Sequence, residues 1–163
     1  MTNKYKILTE IKNEIDHVRA KFPSDENKPA IIESLLILQH HNDGFVTDSI
    51  MRSLAEYLSV TEIDVLEVAT FYTMINTEPV GRNVISVCNN VSCMLRGSDD
   101  ILKHVEKKLC VKAGQSTTDK KFFLKDEIEC LAACNGAPMM QINHKNYENL
   151  TLEEVDDILD KIK

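Results

Sequence analysis

Four of the five cysteines in this sequence form two pairs whose spacing suits metal chemistry. Cys88 and Cys93 are separated by four residues, Cys130 and Cys134 by three, and 36 residues lie between the pairs. Thiolate sulfur is a soft ligand that favours tetrahedral zinc or an iron–sulfur cluster. A thioredoxin-type dithiol has two residues between its cysteines, and neither pair has that spacing. These four cysteines are the candidate metal-ligating and cofactor-binding residues, and we assign no catalytic residue.

The spacing favours a [2Fe–2S] cluster but leaves a zinc site open. Structural zinc sites usually place about two to four residues between paired cysteines, most often two. Gaps of four and three are long for such a turn. A two-iron cluster needs two sulfurs on each iron, and plant-type ferredoxins also use a four-residue gap.

A positive residue follows the first pair of cysteines. A [2Fe–2S] cluster with four thiolates is a dianion when oxidised and gains a further negative charge on reduction, so a partly buried site needs compensation. Arg96 lies three residues after Cys93, and a helix predicted to begin near Ser98 presents free amides at its start. We hypothesise that both raise the reduction potential. The alternative is an ordinary solvated loop arginine.

The composition restricts the class of protein. The hydrophobic and charged fractions, 43% and 28%, are those of a globular chain, and a net charge of −7 disfavours nucleic acid or an anionic membrane as a partner. No apolar run reaches the roughly eighteen residues that a membrane span needs, and an acidic N-terminal region does not predict a signal peptide. Five cysteines without such a signal indicate a reducing compartment.

The first half of the chain carries most of the net negative charge, and its sequence pattern predicts four short helices. An apolar face with helical spacing predicts a helix from about Tyr5 to Phe22. AIIESLLILQHH and TDSIMRSLAEYL follow, and EIDVLEVATFYTMI is preceded by a capping arrangement of Thr61 and Asp64. These helices predict a small bundle, which ends at Pro79-Val80-Gly81.

In the second half of the chain the spacing of the apolar residues changes, and the new pattern predicts an α/β unit of thioredoxin-like size. NVISV is a β-branched run typical of a buried strand, and the amphipathic helix SDDILKHVEKKL follows it. AGQSTTDKK is expected to be a loop, and FFLKD and PMMQI are expected strands, the second forming a hairpin through NHKN. TLEEVDDILDKI, with a capping box, predicts the last helix. We therefore predict an α+β chain with domains at 1–79 and 80–163.

Several other residues are assigned packing roles. Cys110 follows an apolar helix face and is expected to be a small buried residue. Phe71, Tyr72 and Met74 are expected in the core or in interdomain packing rather than in a redox relay. Met139-Met140, beside Pro138, are expected to pack near the cysteine loops.

These motifs together resemble a known family. VATFYTMI, PVGRNVI, Cys88 and Cys93 followed by LRGS, ECLAAC, NGAPMMQIN and the YENLTLEE helix are similar to the thioredoxin-like [2Fe–2S] ferredoxin subunit of NADH:quinone oxidoreductase, respiratory complex I. The resemblance runs from about residue 10 to the C-terminus. It implies an N-terminal helical domain, a thioredoxin-like α/β ferredoxin domain, and one [2Fe–2S] cluster held by Cys88, Cys93, Cys130 and Cys134.

The resemblance also implies how the chain works. The sequence contains no GxGxxG after a strand and no phosphate-binding loop, so NADH and FMN are expected on a partner flavoprotein subunit. A one-electron centre cannot accept a hydride, so the flavin must split the electron pair. We expect an electron-transfer subunit without a complete active site, cytoplasmic and attached to the inner face of the membrane through the complex, beside the main electron path.

Two alternatives accompany this interpretation. The same type of subunit occurs in the diaphorase modules of NAD-linked hydrogenases and formate dehydrogenases. An interaction module with a structural four-cysteine zinc site is an alternative of a different class.

The sequence departs from the family pattern at two positions. Relatives commonly have Leu-Gly-Ala between the second pair of cysteines, where this chain has Leu131-Ala132-Ala133, and they often have Asn where it has Gly136. A methyl group at Ala132 changes how closely backbone amides approach a sulfur, which is one control on the reduction potential.

Overall fold

The structure of the protein is a computed structural model that describes residues 5–126, 128 and 130–162. The chain divides into two compact units, Met1–Pro79 and Val80–Lys163. Each unit has its own hydrophobic core. In the part of the chain that the structure describes, no helix has both the length and the apolar character needed to cross a membrane.

The described residues of the first unit contain the four helices that the sequence predicts. Their bounds are α1 Thr9–Arg19, α2 Ile31–His40, α3 Asp48–Leu58 and α4 Glu62–Phe71, with a 3₁₀ turn at Lys28–Ala30 before α2. Thr47 caps α3, and Thr61 and Asp64 form the predicted capping box of α4. The helix α1 begins four residues later than predicted, and α4 ends at Phe71 because Tyr72 is extended.

The core of the first unit is built from the apolar faces of its helices. Its fully buried side chains include Ile15 from α1, Leu35 and Leu38 from α2, and Leu54 and Leu58 from α3. Burying a side chain of this size contributes about 1.5–3 kcal/mol relative to leaving it exposed. The helices are shorter than isolated helices need to be in water, so this packing is what stabilises them.

The second unit is a five-stranded mixed sheet with helices. Its strands, in chain order, are β1 Asn83–Val87, β2 Gln115–Ser116, β3 Phe122–Leu124, β4 Met140–Ile142 and β5 Lys145–Tyr147. The spatial order is β2-β3-β1-β4-β5, and β1 pairs parallel with β3 and antiparallel with β4. The predicted hairpin is present as β4 and β5. The strand β2 was not predicted, because the polar segment around it reads as a loop.

Three helices complete the second unit among the described residues: α5 Val91–Leu95, α6 Ser98–Leu109 and α7 Leu152–Lys161. The helix α7 has the predicted capping box of Thr151 and Glu154. The helix α5 was not predicted, since five residues are too few for a visible helical period. The core between the sheet and the helices is centred on Ile85 and Leu124, which are fully buried.

Candidate functional site

Cys88 and Cys93 are positioned by the central strand and by the short helix α5. Cys88 directly follows β1, and its backbone N–H donates to the carbonyl of Met139 at 3.1 Å. Cys93 lies within α5, which begins where the side chain of Asn90 accepts a hydrogen bond from the Val91 N–H. The two cysteines are 3% and 1% exposed. The first pair is therefore buried at the end of the central strand.

Cys130 and Cys134 lie on the segment that leads into β4. Cys134 opens a 3₁₀ turn, Cys134–Gly136, and both cysteines are exposed. Because β4 runs antiparallel to β1, with Met140 opposite Val87, this segment reaches the sheet at the edge where β1 ends. The hydroxyl of Ser92 donates to the Cys134 carbonyl at 3.3 Å and connects the two cysteine segments.

The structure places the four thiols near one another. The thiol of Cys88 interacts with those of Cys93 and Cys130, and the thiol of Cys134 interacts with that of Cys130. Burial and the neighbouring Cys88 thiol raise the pKa of Cys93 to about 11. The neighbouring Cys130 thiol raises the pKa of Cys134. Neighbouring thiols would repel if both were thiolates, and a bound cation removes this repulsion.

Backbone amides are directed at the buried pair. Burial alone would raise the pKa of Cys88, but the amides of Leu131 and Asn90 and the thiols of Cys93 and Cys130 hold it below its ordinary value. The amide of Met139 acts in the same sense on Cys93. These amides stabilise sulfur in its thiolate form, which is the form that binds metal. The sequence analysis did not predict these amides, because residue type does not show where a backbone N–H points.

A small apolar cluster surrounds the buried pair. Ala137 and Met139, which are 3% and 1% exposed, pack against Cys88 and Cys93, and Leu131 and Ala133 add partly buried contacts. The prediction that the methionine pair packs near the cysteine loops is confirmed for Met139. This cluster excludes water from one side of the site and lowers the local dielectric constant.

Arg96 lies at the border of this apolar cluster. Its side chain is exposed, and its Nη1 donates to the carbonyl of Ala137 at 3.2 Å. Ala137 belongs to the cluster that contains Cys88 and Cys93. The guanidinium is therefore fixed to the backbone beside the site rather than extended freely into solvent.

The donor set fits a two-iron cluster. Among the described residues, no group of three or more His, Cys, Asp or Glu side chains has the arrangement of a metal-ion site. The four thiols instead come two from each of two neighbouring segments, and together they supply the four sulfurs that two irons require. The amides directed at Cys88 and Cys93 are typical partners of cluster-binding sulfurs.

The two departures from the family pattern have structural counterparts in the second cysteine segment. Ala132 has φ +58°, the left-handed conformation that glycine adopts without cost. Gly136 faces Glu148 so closely that an added Cβ would lie 2.6 Å from the Glu148 Cβ. Its carbonyl also accepts the Asn149 N–H at 2.6 Å. Glycine is thus required at position 136 by packing, whereas alanine at 132 is strained.

Two packing assignments are wrong. Cys110 is exposed, because α6 ends at Leu109 and Cys110 caps it in a left-handed conformation with φ +53°. Core packing is also wrong for Phe71 and Met74, which are 77% and 44% exposed, but it is confirmed for Tyr72, which is partly buried against the core of the first unit. Interdomain packing of these residues stays a prediction.

The fold and the site define a class of protein: a mixed α/β domain that gathers four cysteines at one end of its central strand. The profile of the thioredoxin-like [2Fe–2S] ferredoxin family matches residues 15–163. The chain belongs to this family, and the predicted [2Fe–2S] cofactor is confirmed by that membership.

Relatives of this chain are oxidoreductase subunits. An NADH-quinone oxidoreductase subunit from Rickettsia bellii is 44% identical over 143 residues, which are 88% of this chain and 85% of the relative. A second NADH-quinone oxidoreductase subunit, from Rickettsia conorii, is 43% identical over 151 residues, which are 93% of this chain and 90% of the relative. The mitochondrial NADH dehydrogenase [ubiquinone] flavoprotein 2 of Dictyostelium discoideum is 39% identical, and the match covers 60% of its length.

Solved structures share the fold. The NAD⁺-reducing [NiFe]-hydrogenase in its air-oxidised state superposes with a TM-score of 0.68 and 20% identity over 81% of this chain. Its H₂-reduced state gives a TM-score of 0.69. The match spans 22% of the hydrogenase chain, so this chain corresponds to under a quarter of that polypeptide.

Proposed function

We propose that this chain is the electron-transfer subunit of an NADH:quinone oxidoreductase of the complex I type. Its [2Fe–2S] cluster, when bound, exchanges single electrons with FMN on a partner flavoprotein subunit that also binds NADH. The observation that carries the proposal is the convergence of the two cysteine segments at the end of β1, with backbone amides directed at the buried pair. The identity to subunits of this enzyme over most of the chain supports the assignment.

Each part of the site has a role in this proposal. Cys88, Cys93, Cys130 and Cys134 hold the cluster. The amides of Asn90, Leu131 and Met139 stabilise the negative charge on the buried sulfurs. The apolar cluster that contains Ala137 excludes water from the side of the buried cysteines. The second pair of cysteines is exposed at the surface, where electrons enter and leave.

The electrostatic role of Arg96 is part of the proposal. Its guanidinium is fixed on the Ala137 carbonyl and places a positive charge beside a dianionic cofactor. A nearby positive charge favours the reduced, more negative form, so it raises the reduction potential. Arg96→Gln is expected to lower the midpoint potential, measured by EPR-monitored redox titration. The matched Arg82→Gln variant, at an exposed arginine before β1, should leave it unchanged, and an unchanged Arg96→Gln potential refutes the role.

The two units have separate tasks in this proposal. Residues 80–163 form the ferredoxin domain, and residues 1–79 form a helical bundle that docks on the complex. The chain is cytoplasmic and reaches the inner face of the membrane through its partners, without inserting. The net charge of −7 supports a protein partner rather than nucleic acid.

A diaphorase module of an NAD-linked hydrogenase or formate dehydrogenase is the second candidate. The structural similarity to the NAD⁺-reducing hydrogenase favours it, but at 20% identity that similarity concerns the fold. The 44% and 43% identities to quinone oxidoreductase subunits favour the complex I assignment. Copurification of the tagged chain with its native partners distinguishes a quinone-reducing from a hydrogen- or formate-oxidising complex.

Anaerobic purification with metal analysis tests the cluster and its ligands. We expect about two irons and two acid-labile sulfides per chain and an S = 1/2 EPR signal after reduction. Cys130→Ser should lose or weaken this signal while the helical circular dichroism remains. The matched control is Cys110→Ser, which alters the exposed fifth cysteine and should retain both irons. About one zinc without sulfide, or equal loss in both variants, would overturn the assignment.

A further inference from the structure

The hydroxyl of Ser98 is a buried donor without a partner among the described residues. Ser98 is 1% exposed, and its Oγ makes no hydrogen bond to any described group. A buried polar group normally has a partner, because desolvation without one is unfavourable. Serine often caps a helix, but the cap position of α6 is occupied by Gly97, which has no side chain. Capping therefore does not explain the buried hydroxyl.

Hydrogen bonding to the local backbone does not explain it either. A serine in a helix commonly donates to the carbonyl four residues earlier, as Ser53 of α3 does to the Ser49 carbonyl at 2.8 Å. For Ser98 the corresponding carbonyl belongs to Met94, which lies in α5 and accepts the Gly97 N–H at 3.1 Å. The first turn of α6 thus leaves this hydroxyl free to donate to a group outside the described chain.

The side chain of Ser98 lies on the face of α6 that packs against the sheet. Ser98, Ile101 and Val105 are the buried residues of α6, and their spacings of three and four place them on one side of the helix. Ile101 and Val105 belong to the same core as Ile85 and Leu124. Ser98 therefore occupies the N-terminal end of this buried face.

That end of α6 lies at the edge of the sheet where β1 ends. The strands β1 and β3 are parallel, so the chain between them crosses back over the sheet, and α6 belongs to this crossing. A helix in such a connection runs opposite to the strands and begins near their carboxyl ends. Cys88 directly follows β1, so the cysteine site lies at the same edge of the sheet.

Two hydrogen bonds connect the residues before Ser98 to the cysteine site. The backbone N–H of Arg96 donates to the Cys93 carbonyl at 3.1 Å. The guanidinium of Arg96 donates to the carbonyl of Ala137, which belongs to the apolar cluster around Cys93. Ser98 follows two residues later and turns into the interior. The buried hydroxyl therefore enters the core from the cysteine site.

We propose that the Ser98 hydroxyl donates a hydrogen bond to a sulfur of the bound [2Fe–2S] cluster, either a cysteine sulfur or a bridging sulfide. A hydrogen bond to a charged acceptor is stronger than one between neutral groups, so this bond strengthens as the cluster gains negative charge. It stabilises the reduced form and raises the reduction potential. The inference rests on the cluster site of the proposed function and does not depend on which complex contains the chain.

An EPR-monitored redox titration of the cluster-loaded whole chain tests the inference. Ser98→Ala removes the donor and little else, so the midpoint potential should fall. At a fixed potential near the wild-type midpoint, the ratio of reduced to oxidised cluster should fall about three- to ten-fold. Ser98→Thr keeps the hydroxyl and should retain most of the wild-type ratio.

Ser34→Ala is the matched control. Ser34 lies on α2, is 0% exposed, and carries a second buried hydroxyl without a partner among the described residues. The same substitution there removes an equivalent oxygen from the first unit, whereas all the cysteines belong to the second unit. The reduction potential of this variant should be that of the wild type. Equal shifts in the two alanine variants would show a general effect of altered packing and overturn the inference.

Resonance Raman spectroscopy gives a second readout, which altered packing alone would not move. Transfer into D₂O shifts the iron–sulfur stretching bands when cluster sulfurs accept hydrogen bonds from exchangeable donors. Ser98→Ala should reduce this shift, whereas Ser34→Ala should leave it as in the wild-type chain.

The outcomes separate this inference from the proposed function. A cluster-loaded Ser98→Ala chain with the wild-type potential and the wild-type shift in D₂O overturns the inference and leaves the proposed function standing. A Ser98 hydroxyl that binds only buried water would give this result. If Ser98→Ala loses the cluster, retention of the cluster in Ser98→Thr supports the donor, and loss in both variants overturns it. A wild-type chain with about one zinc and no sulfide overturns both the inference and the proposed function.

Discussion

Replacing Ala132 by glycine is expected to stabilise the protein, although glycine usually destabilises. Ala132 has φ +58°, and this conformation costs a residue with a Cβ roughly 1–2 kcal/mol. Glycine removes that strain but adds about 0.4–1 kcal/mol of conformational entropy to the unfolded chain. The net gain in the free energy of unfolding is centred on about 0.8 kcal/mol, within a range of about 0–1.6 kcal/mol. With a urea dependence of about 2 kcal/mol per molar, the central value raises the unfolding midpoint by about 0.4 M.

The adjacent residue supplies the control. Ala133 has φ −114°, outside the left-handed region that favours glycine, so Ala133→Gly relieves no such strain and should lower the midpoint. Both variants are unfolded anaerobically with the cluster bound, and far-UV circular dichroism and visible cluster absorbance are followed together. Opposite shifts of the two variants are expected. A decrease for Ala132→Gly, or equal shifts in both, would refute the argument from backbone strain.

Three further predictions concern packing and charge. Gly136→Ala should destabilise the second unit by about 1–3 kcal/mol, seen as a lower urea midpoint, because the new Cβ collides with Glu148; a wild-type midpoint would contradict this. Ile85→Ala removes a fully buried side chain from the central strand and should cost about 2–5 kcal/mol in chemical unfolding, and a cost under about 1 kcal/mol would place Ile85 outside the core. The ammonium of Lys28 lowers the pKa of Asp64 to about 2, below its ordinary value of 3.8. The ionised Asp64 carboxylate therefore stabilises the folded state above pH 3.8, and this contribution is lost as the pH falls through about 2. Asp64→Asn should flatten the pH dependence of the unfolding midpoint in this window, and an unchanged pH profile would refute the assignment.

Much of the local structure follows from the sequence because its causes are local. The capping boxes at Thr61 and Thr151 and the strand NVISV were predicted and are present. The short helix α5 and the strand β2 were missed because their periods are too short to detect. Cys110 was misassigned because its exposure depends on a left-handed helix end, which residue types alone do not specify.

The sequence by itself identified the candidate ligands of this protein. Residue type and spacing selected four thiols, excluded a dithiol motif, and carried the family resemblance that the comparisons confirm. Only the tertiary structure decided which of those thiols are buried and which backbone amides contact them. The antiparallel pairing of β4 with β1 sets Met139 beside Cys88, buries Cys88 and Cys93, and leaves Cys130 and Cys134 exposed. The amide of Asn90 is local to Cys88, but the burial of the pair and the amides of Leu131 and Met139 arise from contacts between segments more than forty residues apart, which no local pattern encodes.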